Sequence, residues 1–392
     1  MKPRPIVPGV DFVGVPDFDR RLFDALIPLP DGTSYNAYLV RGRDKVALID
    51  TVEPKTVHVL EAYLKDVPRV DYIISNHTEQ DHSGSIPWAL ERYPQAQLLS
   101  SEPARTMLAD HLGLDAAKIR AVADGERLDL GGKTLRFIYT PWVHWPETMS
   151  TYLEEDRILF SCDWFGSHIA ATDLFVDGAD CVLAEAKRYY AEIMMPFRKT
   201  VQKNLEKIRD LEIRLIAPSH GPIHRDPPSI IAAYRDWTDD KPHNAVVIPW
   251  VTMHGSTEIM VQRLIDGLAE RGVTVFPFNM ATADIGKLAM ALVDAATLVV
   301  AAPTVHVGPH PMALEAVVLA NALRPKVRFA AVVGSYGWGG KMVDVVKGAM
   351  SNLKVEVLPS VICKGLPKAA DLEAIDRLAG AIADKHRELG LV

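Results

Sequence analysis

The chain has 392 residues, which corresponds to roughly two to three domains and excludes a single small binding module. Apolar residues make up 48% and charged residues 24%, as in ordinary globular proteins, which excludes long disorder. The formal net charge is −7, with 43 basic against 50 acidic side chains, so we expect no nucleic-acid partner. Three widely spaced cysteines build neither a disulfide framework nor a CxxC site, and we expect a cytoplasmic protein without a membrane span.

The first half of the chain has short apolar runs bounded by Gly, Asp and Pro, a pattern typical of β-strands. The predicted strands are Tyr35–Val40, Lys45–Asp50, Val70–Ser75, Thr134–Thr140 and Arg157–Ser161. Helices are predicted for Lys55–Lys65 and Ser229–Trp237, and two prolines precede the second at positions that suit a helix start. A polar, proline-containing stretch at 238–243 then predicts a domain boundary near Pro242, with domains at 1–242 and 243–392.

Beyond that boundary, apolar strands alternate with amphipathic helices. The five predicted strands are Ala245–Val251, Val273–Phe278, Thr297–Ala302, Val327–Val333 and Val355–Leu358. After the first of them, Met260, Leu264 and Leu268 recur on one face with the 3.6-residue period of a helix. Repetition of strand and helix predicts a doubly wound parallel sheet.

Metal-ligating residue types are concentrated just after the predicted strand Val70–Ser75. Four of them form the pattern H-x-E-x-D-H: His77, Glu79, Asp81 and His82. Imidazoles and carboxylates on one tight loop can converge on a metal ion, because the strand end fixes the backbone. Three further candidates also lie just beyond a predicted strand: His144, Asp163 and His220.

The order and spacing of these residues resemble the metallo-β-lactamase fold over about Val10 to Arg225, which implies an αββα sandwich with a two-metal site at one edge. Hydrolytic members carry His-x-His-x-Asp-His, whereas this chain has Glu79 in place of the second histidine. A carboxylate there makes the site more anionic and favours iron over zinc. This substitution is characteristic of the flavodiiron proteins. The resemblance assigns the seven residues as follows: His77, Glu79 and His144 to one iron, Asp81 and His220 to the other, Asp163 to the bridge, and His82 either to the metal or to the layer around it.

Three loops of the second half follow predicted strands at the edge where ligands of doubly wound sheets bind. The first comprises Thr252, Met253, His254, Gly255, Ser256 and Thr257. It directly precedes a helix, so its hydroxyls and amides suit either a phosphate or a simple helix cap. The second contains Pro303, Thr304, Val305, His306 and Gly308, and the third contains Ser335, Tyr336, Gly337, Trp338 and Gly339. Together they resemble the cofactor loops of a five-stranded flavodoxin-like domain, which implies bound FMN.

Over nearly its whole length the sequence resembles a class A flavodiiron protein. The resemblance implies reduction of O2 to water, of NO to N2O, or of both, at a diiron site supplied with electrons by FMN, as detoxification in an anaerobe-type metabolism. It also implies a head-to-tail homodimer or a dimer of dimers. We expect an external electron donor, either a rubredoxin, the reduced deazaflavin F420H2 or an NADH-linked reductase, because the chain has no rubredoxin-like CxxC module.

Asp24 stands about where related chains place a histidine near the iron pocket. Because an ionised carboxylate cannot donate a hydrogen bond, that role passes to water, Tyr189 or Tyr190, and Asp24 either tunes the site or faces solvent. Two other functional classes are open: a dizinc metallo-β-lactamase-like hydrolase fused to a flavodoxin-like module, and a flavodoxin-like carrier with a structural metal domain. Glu79 and the three loops argue against the first, and the open six-ligand site against the second.

Overall fold

The structure is a computed structural model that describes residues 1–176 and 180–392. It divides into two compact units, the first formed by residues 1–190 and 197–238 and the second by residues 191–196 and 239–392. Within the described ranges, no helix combines the length and the apolar character needed to cross a membrane.

The first unit is built mainly from strands. They are β1 (Arg4–Val7), β2 (Val10–Phe12), β3 (Val15–Asp17), β4 (Leu22–Phe23), β5 (Ile27–Pro28), β6 (Thr33–Tyr35), β7 (Tyr38–Arg41), β8 (Val46–Ile49), β9 (Tyr72–Ser75), β10 (Gln97–Ser101), β11 (Ile119–Val122), β12 (Arg127–Asp129), β13 (Thr134–Tyr139), β14 (Met149–Leu153), β15 (Ile158–Cys162), β16 (Phe175–Val176), β17 (Leu215–Pro218) and β18 (Ile223–His224). Its α-helices are α1 (Val57–Leu64), α2 (Gln80–Ser83), α3 (Ile86–Arg92), α4 (Glu102–Leu112), α5 (Asp180–Tyr189), α6 (Arg198–Lys207) and α7 (Pro227–Thr238). Short 3₁₀ helices lie at Pro54–Thr56, Ala116–Lys118 and Met195–Phe197, and a π-helical turn lies at Tyr190–Met194.

Two seven-stranded sheets form the centre of this unit. Their strand orders are β1-β2-β7-β8-β9-β10-β11 and β12-β13-β14-β15-β17-β18-β16. The sheets pack face to face, since Tyr38 and Ile74 of the first sheet share one core with Phe137 and Phe160 of the second. Burying a side chain of this size stabilises the fold by about 1.5–3 kcal/mol. With helices on the outer faces, for example α4 on β10 and β11, the unit is the predicted αββα sandwich of the metallo-β-lactamase-like fold.

One predicted strand of this unit is divided in two. Tyr35–Val40 was expected to be continuous, but β6 ends at Tyr35 and pairs with β3, and β7 begins at Tyr38 in the first sheet. At the break, the Asn36 amide donates to the Ser219 carbonyl oxygen at 2.8 Å, and so leaves the strand ladder. The division therefore serves a contact with the loop after β17.

The second unit alternates strands and helices. Its strands are β19 (His243–Trp250), β20 (Thr274–Asn279), β21 (Ala295–Val305), β22 (Gly308–Pro309), β23 (Phe329–Tyr336), β24 (Glu356–Val357) and β25 (Val361–Lys364). Its helices are α8 (Ser256–Ala269), α9 (Ile285–Asp294), α10 (Pro311–Leu323), α11 (Met342–Ala349) and α12 (Ala369–Glu388). The parallel strand order β20-β19-β21-β23-β24 confirms the doubly wound, flavodoxin-like sheet.

The fifth predicted strand of this sheet is shorter than expected. Only Glu356 and Val357 pair as β24, and the sheet edge resumes at β25, which the sequence pattern did not predict. Pro359 lies between the two segments and has no N–H for the ladder, so the edge strand is interrupted there.

Candidate metal centre and cofactor loops

The segment after β9 carries four of the predicted metal-binding side chains. They are His77 and Glu79 in the loop, and Asp81 and His82 on the one-turn helix α2. The two residues that follow β8 hold the first and last parts of this segment. Asp50 Oδ1 accepts from the Asn76 amide at 2.8 Å, and the Thr51 amide donates to the His82 carbonyl oxygen at 2.8 Å. Because β8 and β9 are parallel neighbours, their carboxyl ends meet at one edge of the sheet and fix the loop between them.

The other predicted ligands come from the second sheet. His144 lies in the loop between β13 and β14, Asp163 follows β15 directly, and His220 follows β17. Asn36 Nδ2 fixes the His220 loop by donating to the carbonyl oxygens of Pro218 at 2.8 Å and of Gly221 at 2.7 Å. The strand ends of both sheets thus bring the seven side chains to one place.

The seven residues form two clusters of ligand atoms. In the first, His77, Glu79, His144 and Asp163 place their donor atoms within 4.8 Å of one another. Glu79 Oε2 lies 3.2 Å from His77 Nε2 and 2.9 Å from His144 Nε2. Glu79 and His144 keep 14% and 17% of their side chains exposed, so this side of the site faces solvent.

The second cluster contains Asp81, His82 and His220. Asp81 Oδ2 lies 3.3 Å from His82 Nε2 and 3.2 Å from His220 Nε2. The structure therefore brings His82 among the ligand atoms, with its Nε2 aimed at the same carboxylate as that of His220.

Asp163 joins the two clusters through its two carboxylate oxygens. Oδ2 lies 3.5 Å from His77 Nε2 and 3.4 Å from His144 Nε2, both in the first cluster. Oδ1 lies 2.9 Å from His82 Nε2 and 3.5 Å from His220 Nε2, both in the second. One oxygen toward each cluster is the arrangement of a carboxylate that bridges two metal ions.

Buried polar atoms in the clusters test whether metal ions fit. Both carboxylate oxygens of Asp81 and of Asp163, and both ring nitrogens of His82, are buried without a hydrogen-bond partner among the described residues. Native proteins leave few such atoms unsatisfied. Divalent cations between these converging oxygen and nitrogen donors would satisfy them, and a donor set of this mixed type suits iron.

Carboxylates and imidazoles in the clusters stabilise each other's charges. Burial opposes ionisation of Glu79, but hydrogen bonds from His144 and His77 hold the pKa of its carboxyl below the usual value. Burial also opposes protonation of His82, but the carboxylates of Asp81 and Asp163 raise its pKa to about 9. Three carboxylates thus stabilise positive charge here, and metal ions would compete with protons for the imidazoles.

The first cofactor loop of the second unit lies between β19 and α8. Gly255 adopts a φ of 87°, which favours glycine, and its amide donates to Thr252 Oγ1 at 3.0 Å. Ser256 begins α8, and the Thr257 hydroxyl lies 3.3 Å from the hydroxyl of Ser335 in the third loop. The amides at this helix start and the hydroxyls suit a phosphate, which stays a prediction.

The second and third loops are joined to each other. Pro303, Thr304 and Val305 end β21, which turns through His306 and Val307 into Gly308 of β22. The Lys341 amide donates to the Val307 carbonyl oxygen at 2.7 Å. A Cβ on Gly340 would lie 2.6 Å from Thr304 Cγ2, so glycine allows the close approach.

The two aromatic side chains of the third loop, Tyr336 and Trp338, differ in exposure. Ser335 is buried and Tyr336 is half-buried at the end of β23, whereas Gly337, Trp338 and Gly339 lie beyond it. Trp338 is 92% exposed. Since all three predicted loops meet at the carboxyl edge of the sheet, they form one candidate cofactor site.

Known proteins are similar to nearly the whole chain. A nitric oxide reductase of Moorella thermoacetica is 35% identical over 97% of this chain and 98% of its own length. The chain belongs to the flavodiiron protein family. A coenzyme F420H2 oxidase of Methanothermobacter marburgensis is 35% identical, over 93% of this chain and 94% of its own. The solved rubredoxin oxygen:oxidoreductase of Desulfovibrio gigas superposes on this flavodiiron protein with a TM-score of 0.95 and 28% identity, covering 100% of both chains. A family model described as ODP family beta lactamase matches residues 33–221.

In this flavodiiron protein, Tyr189 rather than Tyr190 lies against the clusters. The Tyr189 ring centroid is 5.8 Å from that of His220, whereas the Tyr190 ring packs on Tyr234 and Trp237 at 5.5 and 5.6 Å. Successive residues at a helix end point about 100° apart, so only one of two adjacent tyrosines faces a given site. Tyr190 therefore packs on other aromatic rings and Tyr189 against His220, and a catalytic role for either tyrosine stays a prediction.

Asp24 lies in the exposed turn between β4 and β5, with a φ of 49°. Partial burial, then the negative charges of Glu79 and Asp81, raise the pKa of its carboxyl. Its neighbour Phe23 is buried with its ring 5.9 Å from that of His220. The turn thus lies within electrostatic range of the site, and the role of Asp24 stays a prediction.

Sequence analysis missed Glu147, which supports the site from outside. Its Oε1 accepts from His77 Nδ1 at 2.8 Å, and its side chain is fully buried. The local signal is weak: a glutamate two residues before the all-buried strand β14. A buried carboxylate is rare unless it has partners, but the sequence does not say which.

Proposed function

We propose that this flavodiiron protein reduces O2 to water, NO to N2O, or both, with two irons in the first unit and FMN in the second. The main support for the proposal is the orientation of Asp163, which turns one carboxylate oxygen toward each cluster of imidazole and carboxylate donors. The printed activities of the relatives, nitric oxide reductase and coenzyme F420H2 oxidase, support the same chemistry.

The iron ligands are assigned from the two clusters. His77, Glu79 and His144 would hold one iron, Asp81, His82 and His220 would hold the other, and Asp163 would offer one carboxylate oxygen to each. When bound, a diferrous pair supplies two electrons and open positions for a diatomic substrate. The partly exposed Glu79 and His144 mark the side from which that substrate enters, and Tyr189 lines the buried side near His220.

The three loops of the second unit would hold the FMN that supplies the remaining electrons. The loop Thr252–Thr257 would bind the FMN phosphate, and the loops at 303–308 and 335–339 would hold the isoalloxazine ring. Reduction of O2 to two waters takes four electrons, and coupling of two NO to N2O and water takes two. A diferrous pair and reduced FMN together store four, enough to complete O2 reduction without releasing peroxide.

Glu79 argues against the hydrolase alternative. In a dizinc hydrolase of this fold a histidine would stand there, whereas here a carboxylate oxygen lies within 3.2 Å of His77 and 2.9 Å of His144. The harder, more anionic donor set favours iron.

The wider setting follows the same proposal. Residues 1–242 are the proposed diiron domain and residues 243–392 the proposed FMN domain; apart from residues 191–196, this boundary lies four residues beyond the division between the compact units after Thr238. The protein acts in the cytoplasm as a head-to-tail homodimer or a dimer of dimers, which brings each flavin to its partner's irons. A rubredoxin, F420H2 or an NADH-linked reductase delivers the electrons, and neither nucleic acid nor membrane takes part.

Metal and flavin analysis of the purified protein tests the proposal. We expect about two irons and one FMN per chain, and consumption of O2 or NO once the FMN is reduced anaerobically. Stopped-flow reduction with each candidate donor then identifies the donor. Zinc without a flavin absorption band would contradict the proposal and favour the hydrolase.

A further inference from the structure

A buried carboxylate outside the seven ligands holds one of the site histidines. Glu147 Oε1 accepts from His77 Nδ1 at 2.8 Å, from the Thr78 amide at 3.0 Å and from the Thr78 hydroxyl at 2.7 Å. The Glu147 carbonyl oxygen accepts from Ser101 Oγ at 2.6 Å, which anchors the residue to the end of β10. Glu147 is therefore fixed at both ends, and it directs His77 Nε2 toward the first cluster.

Among the described residues, no carboxylate accepts a hydrogen bond from the outer ring nitrogen of His82 or His220 in the other cluster. His220 Nδ1 donates to the carbonyl oxygen of Ser34 at 2.6 Å, a neutral acceptor. His82 Nδ1 is buried with no hydrogen-bond partner among the described residues. A carboxylate accepting from the outer nitrogen of a histidine orients the ring and makes its inner nitrogen a stronger donor than a carbonyl does.

The two clusters are matched in the number and type of their donors, although Glu79 and His144 of the first are partly exposed. Each offers two imidazoles, one carboxylate of its own and one oxygen of Asp163. The clearest difference between them is the Glu147 carboxylate behind His77.

We propose that Glu147 is a positioning residue that makes the His77 side of the site bind its metal ion first and more tightly than the His220 side. The site then fills in order, and the ion held by Asp81, His82 and His220 is the one exchanged or lost more easily. This inference rests on the proposed function, since it takes the seven residues as a two-metal site.

Titration of the metal-free full chain, with FMN retained, tests the order. Co2+ added anaerobically is followed by its visible absorption and by competition with a chelator. We expect two steps in the wild type, the first at least about tenfold tighter. His144→Ala should remove the first step and His220→Ala the second, which assigns each step to a cluster.

Variants at Glu147 then separate positioning from general packing. Glu147→Gln should weaken the first step about 10–100-fold and leave the second within about threefold. Glu147→Asp, which keeps the charge on a shorter side chain, should recover part of that loss. Glu155→Gln, the same change at an exposed turn, is the matched control and should leave both steps unchanged. If Glu147→Gln does not fold by circular dichroism, Glu147→Asp carries the test through a weakening confined to the first step.

The outcomes distinguish this inference from the proposed function. Two ions bound with equal affinity in the wild type, or a Glu147→Gln effect on both steps or on the second alone, would overturn the ordered filling and leave the diiron proposal standing. A wild-type chain that binds neither Co2+ nor Fe2+ at this site would overturn the proposed function itself.

Discussion

Replacing Asn36 by alanine removes two of the hydrogen bonds that hold the loop carrying His220. The Asn36 Nδ2 group donates to the carbonyl oxygens of Pro218 at 2.8 Å and Gly221 at 2.7 Å, and Asn36 is 1% exposed. The Pro218 oxygen keeps a second donor, the Tyr38 hydroxyl at 2.6 Å. The Gly221 oxygen loses its Asn36 partner.

The free-energy cost of Asn36→Ala for this loop follows from the two lost hydrogen bonds. Loss of the bond to Pro218 costs about 1 kcal/mol, because its acceptor remains satisfied. Loss of the bond to Gly221 costs about 1–3 kcal/mol, because a buried acceptor loses its donor. The sum of about 2–4 kcal/mol corresponds to a rise of roughly 30-fold to 700-fold in the local opening of this loop.

Hydrogen exchange measured by mass spectrometry reports that opening. In Asn36→Ala, amides in residues 215–224 should exchange faster by the factor just derived, whereas peptides of the second unit should keep the wild-type rate. Asn352→Ala, the same substitution at an exposed position, is the control. Unchanged exchange at residues 215–224 would show that Asn36 does not hold the His220 loop, and would refute the reasoning.

Three further predictions concern other parts of the chain. Asp163→Asn should lower the affinity for both metal ions at least about tenfold while FMN is retained, as measured by metal and flavin content; loss of one ion alone would contradict bridging. Burial lowers the pKa of His386 to about 4, so between pH 6.5 and 4 the unfolded state binds a proton at this residue that the folded state does not. The free energy of unfolding should therefore fall by up to about 3 kcal/mol as the pH is lowered from 6.5 to 4. A midpoint near 6.5 in an NMR titration of His386 would disprove the lowered pKa. Gly334→Ala should destabilise the second unit by about 1–3 kcal/mol in thermal unfolding, because the new Cβ would lie 2.0 Å from the Ala302 carbonyl oxygen. Gly380→Ala, in an open helical position, should stabilise the same unit by about 0.5–1 kcal/mol. Equal effects of the two substitutions would contradict the steric explanation.

Local sequence patterns were sufficient to predict the candidate ligands that directly follow a strand. The H-x-E-x-D-H motif, Asp163 and His220 each follow a buried strand, and the structure brings all of them into the two clusters. Alternating strands and helices likewise predicted the doubly wound sheet. Sequence patterns could not choose between the adjacent Tyr189 and Tyr190, because only helix phase and packing decide which of the two rings faces His220.

The sequence by itself determined the ligand types, their strand-end placement and the fold of each half, because residue chemistry and hydrophobic period are local properties. Only the tertiary structure decided how those groups are divided. It directs the two oxygens of Asp163 to different clusters and places Glu147 behind His77, 70 residues away in the chain. Contacts of that kind depend on how two sheets pack, and their partners leave no mark in spacing or period. The asymmetry between the two clusters is therefore a property of the fold, built on candidate ligands that the sequence already supplies.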